Sequence, residues 1–392
     1  MSLRAYVIAG EPSGDQLGGH LMRGLRAETE VAFHGIGGPM MAEAGLASLF
    51  PMADLSVMGL AEVLPRLPGL LRRVRETTED VLRVAPDVLI TIDSPDFCLR
   101  VARKVRARNP AIKTVHYVAP SVWAWRPKRA AKMAKSIDHV LALLPFEPPY
   151  MEAAGMTCDF VGHPIVYQPE ISEAEAAAFR AARAIPDAAT LICLLPGSRR
   201  GEVTRQGATY RAAVEKIAAA RPGTRVVIPA AAPVADLVAE IFAGASVPTQ
   251  ILDLRETEAQ SQKWAAFKAA DIAIAASGTV SLELARQQTP MVIGYQMSAL
   301  SGFLMKRLVR LETATLVNIV SQTRAVPEFL FADFEAQNIA DKTIHLLGEP
   351  AEMQHQKDAA RLTMERLAGD GTDPGRQAAR SVLQAVGVVP PR

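Results

Sequence analysis

Short runs of consecutive apolar, largely β-branched residues recur along this sequence, separated by longer helix-forming stretches. In the first half the runs are RAYVIAG, VAFHGIGG, DVLITID, KTVHYVA, DHVLALLP and CDFVGHP. In the second half they are TLICLLPGS, TRVVIPAA, TQILDL, IAIAAS and PMVIGYQ. A strand that is apolar at every position must be covered on both faces, whereas a strand with one wet face alternates. The intervening helices supply that cover, so the pattern predicts parallel, doubly wound sheets.

The pattern breaks once, between Gly162 and about Thr190. There VGHPIVYQPE supplies turn residues and SEAEAAAFRAARAIPD reads as one exposed helix. At 392 residues the chain is also too long for one ordinary α/β core. The expected layout is an N-terminal Rossmann-like domain over 1–165, a linker over 166–188 and a second Rossmann-like domain over 189–340. After about residue 330, PEFLFADFEAQNIADKTIHLL and AEMQHQKDAARLTMERLA read as helical. The tail over 341–392 is expected to pack on the N-terminal lobe or to exchange with a partner chain. The fold class is therefore α/β, with two such domains facing a central cleft onto which the carboxyl ends of both sheets open.

Composition narrows the function. A net charge of +2 offers no general attraction for nucleic acid. Cys98, Cys158 and Cys193 are widely spaced, with no CxxC pair, and read as buried thiols rather than a zinc site or a disulfide frame. No apolar stretch approaches the roughly 18–20 residues that span a bilayer, and no secretory segment opens the chain. A cytoplasmic protein is expected, free or attached to a membrane from the cytosolic side.

Five segments carry chemistry. AGEPSGDQLGG, residues 9–19, turns from a strand into a helix with Gly10, Gly14 and Gly18 in place of either standard phosphate-loop pattern. Its acids, Glu11 and Asp15, repel phosphate and accept hydrogen bonds from hydroxyls, while Ser13 is placed to cap the helix. In DVLITIDSPDF, Asp93 ends a buried strand and suits a general base, and Asp96 suits a helix N-cap. No third ligand makes that pair a metal site. HYVAPSVWAWRPKR sets Trp123 and Trp125 after a strand, as a wall for a sugar face, before a basic helix that carries Lys128 and Lys132.

LLPGSRRGEV puts Arg199 and Arg200 at a helix start, where cations oppose the dipole by roughly 0.3–1 kcal/mol each. A bound diphosphate would offset that cost. In IAIAASGTVSLE, the turn Ser277-Gly278-Thr279 offers amides for phosphate, and Glu283, one turn on, suits the two hydroxyls of a ribose. Two amphipathic basic stretches complete the set. Leu60, Val63, Leu64 and Leu67 with Arg72 and Arg73 form one, and the segment around Lys306 and Arg307 forms the other. Both read as candidates for acyl chains or a membrane surface.

Taken in order, GEPSGD, DSPDF, HYVAPSVWAWRPKR, LLPFE, VGHP, LLPGSRRGEV, SGTVSLE and MVIGY resemble the lipid-A-disaccharide synthases over roughly residues 5–345. The resemblance implies an inverting glycosyltransferase of the two-Rossmann-domain (GT-B) type. Such an enzyme condenses UDP-2,3-diacylglucosamine with 2,3-diacylglucosamine 1-phosphate (lipid X) through a β-1,6 bond and releases UDP. It further implies Asp93 as the base for the acceptor hydroxyl, and Arg199, Ser277, Gly278, Thr279, Glu283 and Asn318 at the donor. Glu11, Ser13, Trp123 and Trp125 fall on the acceptor side. No cofactor or metal is implied; the anionic inner-membrane surface and a homodimer partner are. The commoner family forms GETSGD and DAPDF are altered here to Pro12 and Ser94, and both changes spare the acids. The residues alone leave open another UDP-sugar enzyme, such as an epimerase.

Overall fold

The computed structural model describes residues 2–55, 60–123, 128–296 and 313–388, with the backbone alone over 60–67. It divides into two compact units, 1–164 with 367–392, and 165–366. Among the described residues each unit holds one six-stranded parallel sheet.

The first sheet comprises β1 (Leu3–Ala9), β2 (Val31–Ile36), β3 (Val88–Ile92), β4 (Lys113–Tyr117), β5 (His139–Ala142) and β6 (Thr157–Phe160), in spatial order 2-1-3-4-5-6. β1 pairs with β3 from Ala5 opposite Val88 to Ala9 opposite Ile92. The chain first moves outward to β2 and then crosses back past β1, so the order reverses between β1 and β3. Tyr6, Ile8, Leu89 and Val140 bury one face against the helices, while Val7, Ile90 and Leu141 bury the other. This double burial is why the central strand β3 carries no polar alternation.

The second sheet comprises β7 (Leu191–Leu195), β8 (Arg225–Ala230), β9 (Thr249–Asp253), β10 (Ile272–Ala276), β11 (Met291–Tyr295) and β12 (Glu328–Leu330), in order 12-11-10-7-8-9. Its reversal lies between β7 and β10, which pair from Ile192 opposite Ile272. The edge strand β12 corrects the helical expectation for PEFLF: Glu328 pairs with Ile293 and Leu330 with Tyr295, and the helix begins only at Ala336. An open sheet edge offers backbone partners to three residues whose local pattern is too short to declare a strand.

Residues 166–188, expected as a linker, belong to the second unit. Their helix Glu173–Ala182 starts on a capping box between Ser172 and Glu175, and Arg180 donates to Asp271 at 2.9 Å. The C-terminal stretch is divided. Helices Ala336–Gly348 and most of Pro350–Ala368 lie in the second unit, whereas helix Pro374–Ala385 lies in the first. That last helix packs on helix Pro12–Glu28 where a Cβ at Gly24 would stand 2.4 Å from the Gly375 carbonyl oxygen. Only two glycines permit so close a crossing. Arg376 and Arg380 then pair with buried Glu28 at 2.5 and 3.0 Å, and Ser381 bridges His139 and Asp159 at 2.7 and 2.6 Å.

Candidate functional site

Ligands of open parallel sheets bind beyond the carboxyl ends of the strands where the strand order reverses. In the first unit that point lies between the ends of β1 and β3, which deliver Gly10-Glu11 and Asp93-Ser94. The two loops touch: a Cβ on Gly10 would lie 2.6 Å from the Ser94 hydroxyl oxygen. Glu11, half-buried, is the N-cap residue of helix Pro12–Glu28, and both Glu11 and Asp93 bear electrostatically on the buried Cys98 thiol. The structure thus gathers these two carboxylates into one neighbourhood.

Backbone strain marks the same edge. Asp93 and Ser94 hold consecutive left-handed conformations, φ +47° and +39°, and Val118, just past β4, holds φ +79°. Such conformations in residues with a Cβ cost on the order of 1–3 kcal/mol each and persist where surrounding structure enforces them, commonly at functional sites. Burial raises the Asp93 carboxyl above the usual carboxylate range, opposed by the Ser94 backbone N–H and the charge of Arg129. A raised carboxyl is a better proton acceptor near neutral pH. Beneath it, His116 Nδ1 lies 2.8 Å from the Thr91 hydroxyl, and burial depresses this imidazole to about 4.

Several expected roles change. Asp15 addresses no hydroxyl: its buried carboxylate accepts the backbone N–H groups of Gly38, Met40 and Met41 at 2.7, 2.9 and 3.0 Å. It caps the short helix Pro39–Glu43 from a neighbouring element. Ser13 is exposed within the first turn of its helix and does not cap it. Asp96 likewise lies inside the first turn of Pro95–Arg108, whose N-cap is Ser94. Trp123 is half-buried, stacked edge-on against Phe146 at 5.1 Å, and donates its indole N–H to Glu147 at 3.1 Å. Burial pushes the Glu147 carboxyl up to about 7. Arg73, from the basic face, is engaged by the protein itself. It is ion-paired with Asp54 and Glu76 and lies over the Phe50 ring at 4.2 Å, bracing helix Leu60–Val84. Arg72 is exposed. The side chains of Leu60, Val63, Leu64 and Leu67, and all of Trp125, Lys306 and Arg307, lie outside the described residues.

In the second unit a cavity of about 400 Å³ opens at the reversal between β7 and β10. Gly197, Ser198, Arg199 and Glu202 line one side, and Ser277, Gly278, Thr279 and Glu283 the other. Gly197 turns out of β7 at φ +123°, a conformation that suits only glycine, and Arg199 becomes the N-cap residue of helix Arg200–Ala220. Arg199 pairs with Glu202 at 2.9 Å and remains 65% exposed, so its guanidinium is accessible to an anion. Arg200 does not line the cavity.

Asn318, expected at the donor, is buried and hydrogen-bonded to the protein. Its amide donates to the Val326 carbonyl at 2.8 Å and to the Thr313 hydroxyl at 3.3 Å, and its oxygen accepts the Val326 N–H at 3.0 Å. The 313–315 segment it steadies accepts the Ser277 hydroxyl through the Ala314 carbonyl. A residue the sequence did not signal completes the cavity: Lys263, from helix Thr257–Ala269, pairs with Glu283 at 2.8 Å.

Two six-stranded parallel sheets, each reversing its strand order, make the two-Rossmann-domain arrangement known as the GT-B fold. Solved structures agree. The S. aureus MnaA–UDP co-structure superimposes with a TM-score of 0.66 at 12% identity, covering 99% of this chain and 98% of that one. The UDP-GlcNAc 2-epimerase from Neisseria meningitidis gives 0.62 at 11% identity, covering 93% and 99%. At such identities the likeness concerns the fold alone. A family model for lipid-A-disaccharide synthetase matches residues 5–381. The lipid-A-disaccharide synthases of Ruegeria pomeroyi and Rhodospirillum centenum are 54% and 46% identical, covering 97% and 98% of this chain and 95% of each relative. The chain belongs to the lipid-A-disaccharide synthetase family, and it is a glycosyltransferase.

Proposed function

We propose that the chain forms the β-1,6-linked lipid A disaccharide 1-phosphate from UDP-2,3-diacylglucosamine and 2,3-diacylglucosamine 1-phosphate, releasing UDP. The observation that carries the donor half of this reading is the β7–β10 cavity. It sets an accessible guanidinium at one lip and a carboxylate at the other, as a diphosphate and a ribose require. Arg199 binds the diphosphate and stabilises the charge that UDP gains on leaving. The turn 277–279 receives phosphate oxygens, and Glu283 accepts the ribose hydroxyls. Asn318 serves this site at one remove, by fixing the segment against which Ser277 rests.

On the acceptor side, Asp93 takes the proton of the 6-hydroxyl as its oxygen bonds to C1 of the donor. The bond from C1 to the β-phosphate oxygen breaks with inversion, and UDP departs. One carboxylate suffices for a single displacement, and burial and strain tune and aim this one. Glu11 shares the neighbourhood and is assigned to orienting the acceptor sugar. No step in this scheme calls for a cofactor.

Among the described residues no helix is long and apolar enough to cross a membrane. Contact with acylated substrates and an anionic inner-membrane surface from the cytosolic side is assigned to helix Leu60–Val84. There Leu71, 45% exposed, stands beside exposed Arg72. The test is UDP release from the diacylated donor with and without lipid X. Release that depends on acceptor supports the reading. Equal release without acceptor makes the enzyme a hydrolase, and indifference to donor acylation favours a different UDP-sugar substrate.

A further inference from the structure

Glu283 and Lys263 come from different helices, twenty residues apart in sequence, and meet in the wall of the β7–β10 cavity. Their ion pair, Nζ to Oε2 at 2.8 Å, leaves the side chains only 24% and 26% exposed. Lys263 is itself held from below. Its Nζ lies 5.1 Å from the Trp264 ring centroid and 5.5 Å from that of Phe267, within range of cation–π attraction. The two rings pack edge to face at 5.8 Å, and Phe267 is fully buried. The ammonium therefore rests on a fixed aromatic platform rather than on a free surface stem.

We infer that Lys263 is a positioning residue, which holds the Glu283 carboxylate turned into the cavity to grip both hydroxyls of the nucleotide ribose. This rests on the reading of the cavity as the UDP site. The geometry leaves room for the role. An ionised carboxylate offers about four lone-pair directions, of which the lysine occupies one, so two hydroxyls still find acceptors. Without the lysine, Glu283 gains rotamer freedom and must be ordered when the ligand binds. The loss falls on the ribose contacts and leaves the diphosphate contacts of Arg199 in place.

The discriminating measurement is the ratio of dissociation constants for 2′-deoxy-UDP and UDP, by calorimetry on the full chain. Losing one hydrogen bond to a charged acceptor should make the deoxy compound about tenfold weaker for the wild type. Lys263→Met should reduce the ratio below about threefold, Lys263→Gln should match it, and Lys263→Arg should restore most of the ratio. A general loosening of the fold would weaken both ligands alike and leave the ratio intact, so an unchanged ratio in Lys263→Met overturns the inference. Glu283→Gln run in parallel separates the two levels. If that variant loses discrimination while Lys263→Met keeps it, the ribose site stands and the lysine role fails. If the wild type itself shows no preference for UDP, the ribose reading fails and the inference falls with it.

Discussion

Asp15→Ala tests whether an acid in the glycine-rich loop serves the fold or the substrate. The Asp15 carboxylate, 3% exposed, accepts three backbone N–H groups that open helix Pro39–Glu43. Gly38 and Met40 are half-buried and can turn to water once the carboxylate is gone; Met41 is buried and cannot. Each hydrogen bond to a charged group contributes about 1.5–3 kcal/mol, and a stranded buried donor costs about 1–3 kcal/mol. With partial relief at the two half-buried positions, the loss is about 3–5 kcal/mol. For a unit of this size that lowers Tm by about 8–15 °C. Thermal unfolding followed by circular dichroism reads this directly. A variant that melts within about 2 °C of wild type yet loses activity would refute the reasoning and place Asp15 on the substrate.

Arg199→Ala should weaken UDP binding about 10- to 100-fold, the value of one or two charge-assisted hydrogen bonds, while Arg200→Ala changes it less than about twofold. Calorimetry with UDP checks both; equal effects would mean that the helix start acts only through its general charge. The third prediction concerns pH. His116 is neutral in the fold, with a pKa near 4 against an ordinary value of 6.5. The unfolded chain therefore binds the extra proton, and stability is intact above about pH 6.5 and lost as pH falls toward 4. The loss reaches about 3 kcal/mol at the lower end. His116→Gln should flatten this part of the Tm–pH profile, and a variant profile parallel to wild type would remove His116 as its source.

Among the described residues eleven of the twelve strands were legible, the central ones most plainly, because a doubly buried parallel strand has to be apolar throughout, as Leu191–Leu195 and Ile272–Ala276 are. β12 was not, since three residues at an edge take their conformation from Ile293 to Tyr295 rather than from their own pattern. The positions of Asp93 and of the two strand-to-helix turns followed from the same logic, because the carboxyl end of an apolar strand can be placed from sequence; which strands flank a reversal is set by the sheet order. What each side chain does there could not. Asp15 and Glu11 sit in one loop and look alike. Only the fold shows that a distant turn, Gly38–Met41, takes up the first. Arg73 reads as part of a basic face until Asp54, Glu76 and Phe50 converge on it. Lys263 carries no local signal, since its meaning lies in Glu283 on another helix.

The central claim is that Asp93 takes the acceptor proton while the second unit holds UDP independently. The most direct test compares wild type and Asp93→Asn for acceptor-dependent UDP release from the diacylated donor, with UDP affinity measured on the same preparations. Turnover should fall about 10²- to 10⁴-fold, as expected for loss of a general base, with UDP affinity unchanged within about twofold. Turnover that survives the substitution would contradict the assignment, and so would a parallel collapse of UDP binding.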